Sequence, residues 1–167
     1  MRITSRITWI AACAAACVLL ADCKAKPPKP VPMFAPVTRL SIAVSGDVNP
    51  DPQGRASPIV VRIYQLKDDA AFQGADYFAL FDKEQATLAG ALVSRQEYEL
   101  RPGEQRTFDY TVAPETLFLG VAAAYRDIRN AQWHALTSAP DNKPTKAPRV
   151  NKVAISVERA RLSLSSN

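Results

Sequence analysis

The sequence predicts an all-β fold: an antiparallel two-sheet β-sandwich of about eight strands with one small helical insert. Apolar and polar residues alternate with a period of two in many short segments after residue 37. Only residues 69–90 interrupt this pattern, because they contain little β-branched sequence. The chain after Cys23 has no cysteine, so its fold depends on a buried core and not on disulfides.

The first strands are indicated by alternation. Residues 40–44 (LSIAV) and 59–63 (IVVRI) each place apolar side chains on one face. Residues 97–100 (EYEL) and 107–112 (TFDYTV) alternate in the same way on either side of the turn sequence 101–104 (RPGE). This arrangement predicts a β-hairpin with one buried face and one solvent-exposed face.

The second half of the domain continues with strands. Residues 117–125 (LFLGVAAAY) are almost all apolar, which predicts a central strand covered on both faces, with residues 132–138 as its partner. Residues 153–157 and 162–164 form the last two strands. The apolar positions change parity between them, so a turn or bulge is expected over 158–161.

The insert at residues 69–90 is expected to be helical. Asp82 and Gln85 resemble a capping box, and Gly90 is placed to end a short helix. Asp76 is a second candidate cap for a preceding turn. We expect the aromatic residues of the insert to pack it onto the sheets: Phe72, Tyr77, Phe78 and Phe81.

Residues 1–22 predict a lipoprotein signal peptide. Two arginines precede a 15-residue apolar run, which is too short to cross a bilayer comfortably and is typical of secretion signals. Leu20-Ala21-Asp22-Cys23 resembles a lipobox, although Asp22 is unusual before the acylated cysteine. Cys23 is the expected lipidation site from the length of the apolar run, with Cys17 as fallback. The segment ending at Cys13 fits the pattern better but leaves a very short run, and an ordinary cleaved signal peptide is the alternative.

Residues 23–36 are expected to be an acylated cysteine followed by a tether. The segment contains five prolines and three lysines, which predict a semi-rigid extended chain. Most of the net charge of +5 lies in the leader and tether, since residues 37–167 carry 16 basic and 15 acidic side chains. This balance, and the absence of aromatics interleaved with the basic residues, argues against nucleic-acid binding.

Two long loops distinguish the β-sandwich domain at residues 37–167. Residues 46–57 and 138–149 are each longer than ordinary hairpin loops, and such loops often carry function. Charge is polarised along the domain: residues 37–141 have a net charge of −4, and residues 142–167 a net charge of +5. This polarity is suited to orienting a protein partner.

No motif for catalysis is present. His134 is the single histidine, and its position inside a strand favours a structural role over a Ser-His-Asp arrangement. The sequence contains no glycine-rich phosphate loop, no HExxH and no EF-hand spacing. We therefore expect a protein that is not an enzyme, with no metal, no small-molecule substrate and no cofactor beyond the N-terminal lipid.

Three segments carry a resemblance to a known family. The run from Ser57 to Lys67 (SPIVVRIYQLK), with 78–82 (FALFD) and 100–104 (LRPGE), resembles the TssJ (SciN/VasD) lipoproteins of the type VI secretion system. The resemblance implies a transthyretin-like β-sandwich with helical additions. It also implies an acylated cysteine, and a location on the periplasmic face of the outer membrane.

The resemblance further implies a partner. Family members bind the periplasmic C-terminal region of TssM, which joins TssL in the inner membrane, and the loop between the first two strands makes the contact. Here that loop is residues 46–57. The residues expected to reach TssM are Asp47, Val48, Asn49, Pro50, Asp51, Gln53 and Arg55.

A second hypothesis is a periplasmic ligand- or glycan-binding β-sandwich lipoprotein unrelated to secretion. Such a module needs exposed aromatic side chains gathered in one concave site. Tyr77, Tyr98 and Trp133 are the candidates in this sequence.

Overall fold

A computed structural model describes residues 31–167, and residues 32–167 form the folded unit. The predicted signal peptide at 1–22 and the candidate acylation sites Cys23 and Cys17 lie outside the described residues. Within the described part of the chain, no helix is both long and apolar enough to cross a membrane.

The fold contains eight strands and a short helical segment between the second and third strands. The strands are β1 (Val37–Val44), β2 (Ile59–Leu66), β3 (Leu92–Leu100), β4 (Gln105–Tyr110), β5 (Phe118–Ala123), β6 (His134–Ser138), β7 (Val150–Val157) and β8 (Leu162–Ser166). The helices are α1 (Ala70–Gly74), α2 (Tyr77–Asp82), α3 (Glu84–Leu88) and a 3₁₀ turn (Ala89–Ala91).

The strands form two four-stranded sheets, which confirms the predicted β-sandwich. Sheet 1 has the order β4-β1-β7-β8, and sheet 2 has the order β3-β2-β5-β6. Neighbouring strands are antiparallel except for β1 and β7, which run parallel with Val37 opposite Val150. The nearly all-apolar β5 lies between β2 and β6, as its composition predicts.

The predicted hairpin around residues 101–104 is wrong. β3 pairs with β2 in sheet 2, whereas β4 pairs with β1 in sheet 1, so the turn carries the chain from one sheet to the other. Alternation identifies the buried face of each strand, and both sheets offer an inner face to the same core. Leu100 and Tyr110 are both buried in that core, so the pattern alone does not distinguish a hairpin from a crossover.

The helices cover the outer face of sheet 2, where the sequence predicts a helical insert. Phe72 of α1 is fully buried, and it packs so closely on Gly120 that a Cβ there would lie 2.8 Å from its ring. Asp76 caps α2 by accepting a hydrogen bond from the Ala79 amide at 2.8 Å. The predicted capping role of Asp82 is wrong, since Asp82 is the last residue of α2 and α3 is preceded by Lys83.

Arg62 connects sheet 2 to the helical layer, which consists of α1, α2 and α3. Its guanidinium donates to the carbonyl oxygens of Leu80 and Phe81, at 3.2 and 3.0 Å, near the end of α2. The same group donates to Glu97 on the neighbouring strand at 2.7 Å and lies 4.6 Å from the centre of the Phe81 ring. A positive charge at these carbonyl groups is favourable because the C-terminal end of a helix is partly negative.

Tyr64 lies under the same layer, with a buried hydroxyl that has no hydrogen-bond partner among the described residues. Burial raises the pKa of Tyr64 from 10.0 to about 12. The unfolded chain therefore loses this proton first as pH rises, and stability falls between the two pKa values. Tyr64→Phe is expected to change stability little at pH 8, because the hydroxyl it removes lies near Arg62 and Glu84 but makes no hydrogen bond of normal geometry.

The same variant is also expected to lose less stability than the parent protein when urea unfolding is repeated near pH 11. Tyr125→Phe is the matched control, because the Tyr125 hydroxyl donates to a backbone carbonyl, that of Arg161, at 2.8 Å. This control is expected to destabilise the protein by about 1 kcal/mol at pH 8. An equal alkaline loss in the parent and in Tyr64→Phe would contradict the assignment.

The two ends of the sandwich differ in the segments that form them. The proximal end, where the chain enters, contains residues 32–36, 111–117 and 138–149. Phe34 pairs with Thr145 through two backbone hydrogen bonds, of 2.8 and 2.9 Å, so the chain joins the domain before residue 37. The distal end is formed by the other set of connections: residues 45–58, 101–104, 124–133 and 158–161.

Candidate functional site

The 46–57 loop lies at the centre of the distal end. Asn49 donates its amide to the Arg159 carbonyl at 3.2 Å, and its side-chain oxygen accepts from the Arg126 amide at 2.8 Å. Gly103 donates to the Ser45 carbonyl at 3.2 Å at the start of the loop. All four distal connections are thus held together by the loop between β1 and β2.

The first part of the loop is structural. Val48 has no exposed surface and belongs to the core of the sandwich, and its carbonyl accepts from the Ser57 amide at 3.1 Å. Asn49 is also buried, and its backbone takes a positive φ of 48°. Its side-chain amide donates to the Pro58 carbonyl at 2.8 Å, which compensates for the strained conformation.

The tip of the loop, residues 51–55, is a compact turn built around Asp51. One carboxylate oxygen of Asp51 accepts from the amides of Gln53 and Arg55, both at 2.9 Å. The other oxygen accepts from the Arg55 guanidinium at 2.8 Å. The Arg55 backbone N–H is the main cause of a pKa of Asp51 below its usual value. The turn is therefore ordered before any partner binds, and this lowers the entropy cost of binding.

Asp47 lies beside the tip and remains exposed. Ser45 donates its hydroxyl to the Asp47 carboxylate, which lowers the pKa of Asp47 below its usual value. Arg159 lies 3.8 Å away and contributes in the same direction. Asp47 therefore carries a negative charge at neutral pH, although it is accessible to solvent.

The structure divides the seven residues predicted to contact TssM. Val48 and Asn49 are buried, so Val48 is not an apolar contact and both serve to hold the loop in place. The Asp51 side chain is only 13% exposed and is occupied by bonds within the tip. The members that face solvent at least in part are Asp47, Pro50, Gln53 and Arg55.

Arginines from the neighbouring connections surround the tip, and sequence reasoning did not single them out. They are exposed and belong to three separate connections, which the topology brings to the same end of the sandwich: Arg101, Arg126, Arg129, Arg159 and Arg161. A hollow of about 160 Å³ opens beside Arg159, with Pro50, Tyr125, Asp127 and Ala160 in its wall. The only signal in the sequence was that each of these arginines occupies a turn or a loop.

The candidates for other functions do not form a site. Tyr77 stacks on Phe81 at 4.4 Å and contacts Trp133, whereas Tyr98 packs on Phe108, which belongs to sheet 1. The three predicted ligand-binding aromatics are thus not gathered in one concave surface.

His134 has a structural environment. Its ring packs 5.9 Å from the Phe72 ring and 4.2 Å from the Trp133 ring, and burial lowers the pKa of His134. Among residues 31–167, no three carboxylate, histidine or cysteine side chains are grouped as they are in a metal site.

The comparisons with known proteins agree with this geometry. The profile of a family described as "Type VI secretion lipoprotein, VasD, EvfM, TssJ" matches residues 36–160. A search of curated proteins finds no match. The T6SS lipoprotein TssJ1 from Pseudomonas aeruginosa is 34% identical in its crystal structure, with a TM-score of 0.72, and the match covers 80% of this chain and 98% of that one.

Two further solved structures are similar. A chain of a structure described as a type VI membrane complex is 30% identical, with a TM-score of 0.65, over 79% of this chain and 99% of that one. A chain of a structure described as the T6SS protein TssM C-terminal domain (869–1107) from EAEC is also 30% identical, with a TM-score of 0.61, over 77% and 99% of the two chains. The family match spans most of the sandwich, and the chain belongs to the TssJ family of type VI secretion lipoproteins.

Proposed function

We infer that this chain is a non-enzymatic anchor between the outer membrane and the TssM protein. Lipid chains on Cys23 hold it on the periplasmic face of the membrane, and the distal end binds the periplasmic C-terminal region of TssM. Through TssM it is linked to TssL in the inner membrane. The observation that carries this proposal is that the chain enters at the proximal end, whereas the 46–57 loop lies at the distal end.

The length of β1 sets the separation between the two ends. Its eight residues span about 26 Å at the usual rise of a β-strand. A protein held at its entry point therefore presents the 46–57 loop away from the lipid, toward the periplasm.

One of the solved structures supports the choice of partner. The match covers 99% of the chain in the TssM structure and 77% of the 167 residues of this protein, so the matched chain is shorter than this one. It is therefore much shorter than the TssM segment 869–1107 named in the description of that structure. A second chain resembling this protein thus accompanies the TssM domain, as expected if the two proteins form a complex.

The chemistry of the distal end suits a protein partner. Arg55 is 77% exposed, and further exposed arginines lie on the other connections of the distal end. Arginine is enriched in the centres of protein interfaces because its planar group makes several hydrogen bonds at once. The hollow beside Pro50, which is lined by both apolar and charged side chains, offers a socket for one polar side chain of the partner.

Cys23→Ser tests the anchoring step. Without the thiol no thioether to lipid forms, so we expect loss of labelled palmitate and loss of the protein from the outer-membrane fraction. Cys17→Ser is the matched control and is expected to change neither. Both are measured by metabolic labelling and membrane fractionation in cells.

The outcomes distinguish the two cysteines. Loss of labelled palmitate in Cys17→Ser alone would assign the acylation site to Cys17 and not to Cys23. Full labelling and unchanged fractionation in both variants would overturn the proposal that a lipid on one of these cysteines anchors the protein.

A further inference from the structure

The entry face is a surface beside the point where the chain joins the domain. It carries four exposed apolar side chains: Met33, Phe34, Val37 and Val150. Val37 and Val150 are direct neighbours across the parallel β1–β7 pair, and both point to the outer face of sheet 1. These four side chains are between 40% and 56% exposed, which is unusual for large apolar residues clustered on one part of a soluble domain.

Lysines border these apolar residues. Lys143 and Lys146 lie on the 138–149 loop, which pairs with Phe34, and Lys152 follows Val150 on the same face of β7. None of the three forms an ion pair with a described residue. Two acidic groups on this face, Asp109 and Asp141, are each paired with an arginine, at 3.0 and 3.4 Å.

We propose that the entry face is a second membrane contact, which lies on the anionic phospholipid surface beside the acylated cysteine. Exposed apolar side chains bordered by unpaired lysines are typical of surfaces that insert shallowly into an anionic lipid interface. The chain leaves the domain at this face, and the predicted acylation site is only eleven residues before Phe34. This inference rests on the proposed acylation of Cys23.

The consequence is an orientation that the acyl chains alone do not set. A tether fixes the distance of the domain from the membrane but leaves its rotation free. Contact through the entry face holds the proximal ends of β1 and β7 at the lipid, so that both strands run away from the membrane and the rotation of the domain about them is fixed. The distal loop then points toward the periplasm in a single orientation. This orientation raises the effective concentration of the loop at the place where TssM binds.

The sequence provides a clean way to test the orientation. All three cysteines lie in the first 23 residues, so the mature acylated protein has no free thiol, and a single introduced cysteine takes a fluorophore selectively. We choose Val150→Cys on the entry face, Phe78→Cys on the helical layer and Gln53→Cys on the distal tip. Phe78 is 60% exposed, so it matches Val150 in chemistry and accessibility but lies on the opposite side of the sandwich.

Each labelled protein is reconstituted into vesicles of phosphatidylethanolamine and phosphatidylglycerol, with brominated acyl chains as quenchers. The proposal predicts several-fold stronger quenching at position 150 than at positions 78 and 53. It also predicts that replacing Lys143, Lys146 and Lys152 by glutamate lowers quenching at position 150 while the protein stays bound to the vesicles.

Equal quenching at the three positions in vesicle-bound protein would overturn the proposed membrane contact of the entry face. It would not contradict the proposed lipid anchor. Strong quenching at position 78 alone would assign the opposite face to the membrane. Failure of the proposed anchor is a different result, since the unmutated protein would then not remain with the vesicles.

Discussion

Gln65→Leu is expected to destabilise the domain by roughly 2–4 kcal/mol, as measured by urea unfolding at neutral pH. Gln65 is buried on the inner face of β2, at a position that the alternation of the strand assigns to an apolar residue. Its side chain is one of the few polar groups in the core. The leucine side chain has a similar volume, so the cost arises from lost hydrogen bonds and not from a cavity.

The side-chain amide of Gln65 makes four hydrogen bonds, one to the last residue of β4 and three to the connection between β4 and β5. It donates to the Thr111 carbonyl at 2.8 Å and to the Tyr110 hydroxyl at 3.2 Å. It accepts from the Ala113 amide and the Thr116 hydroxyl, both at 2.8 Å. Leucine leaves these groups without partners in a dry environment, and unpaired buried polar groups carry a large desolvation cost.

Gln105→Leu is the matched control. Gln105 is exposed on the edge strand β4, so the same substitution there is expected to change the unfolding free energy by no more than about 0.5 kcal/mol. If Gln65→Leu is no more destabilising than this control, the four bonds do not contribute to stability as the structure indicates.

Replacing residues 51–55 by two glycines is expected to abolish co-purification of TssM from cells. The replacement removes Gln53 and Arg55, two of the most exposed residues of the predicted contact set. It leaves Val48 in the core and leaves the bonds of Asn49 to the Arg126 amide and the Pro58 carbonyl in place. Loss of binding would therefore not come from loss of the distal scaffold.

The choice of residues is set by burial. A deletion that began at residue 47 would remove Val48, and deletion of a fully buried apolar side chain costs on the order of 2–5 kcal/mol. The bonds of Asp51, in contrast, are confined to the tip. We expect the shortened protein to unfold within about 1 kcal/mol of the parent.

Arg55→Glu is a finer variant of the same test. It reverses a charge that is 77% exposed and breaks the 2.8 Å pair with Asp51. Lys67→Glu makes the same change of charge between β2 and α1, far from the tip and outside the entry face. We expect weaker TssM binding in the first variant and parental binding in the second, because charge complementarity acts at short range at physiological salt. Equal binding by both would exclude Arg55 from the interface.

The sequence was most informative where one face of a strand is buried. The alternation of residues 40–44 and 59–63 predicts both the strands and their buried side chains, and the apolar run at 117–125 predicts the central position of β5. The hairpin at 101–104 could not be predicted correctly, since the pattern is the same whether β4 stays in sheet 2 or crosses to sheet 1. Which strands pair depends on contacts between distant parts of the chain.

The distal loop shows the same limit at the level of single residues. Its length singled it out, but length does not separate Val48, which is fully buried, from Gln53, which is exposed. The arginines around the tip come from three other connections between strands, so only the topology places them on one surface. Gln65 belongs to the run SPIVVRIYQLK that resembles the family, but the sequence does not predict its hydrogen bonds to the β4–β5 connection.

The most direct test of the central claim is a binding titration between the purified mature lipoprotein, in detergent, and the periplasmic C-terminal region of its TssM partner. Calorimetry is performed on the parent protein, on the variant with residues 51–55 replaced by two glycines, and on Lys67→Glu. Saturable binding is expected for the parent and for Lys67→Glu, with no measurable heat for the shortened loop. Equal affinity of the parent and the shortened loop would contradict the assignment of the distal loop as the TssM-binding site.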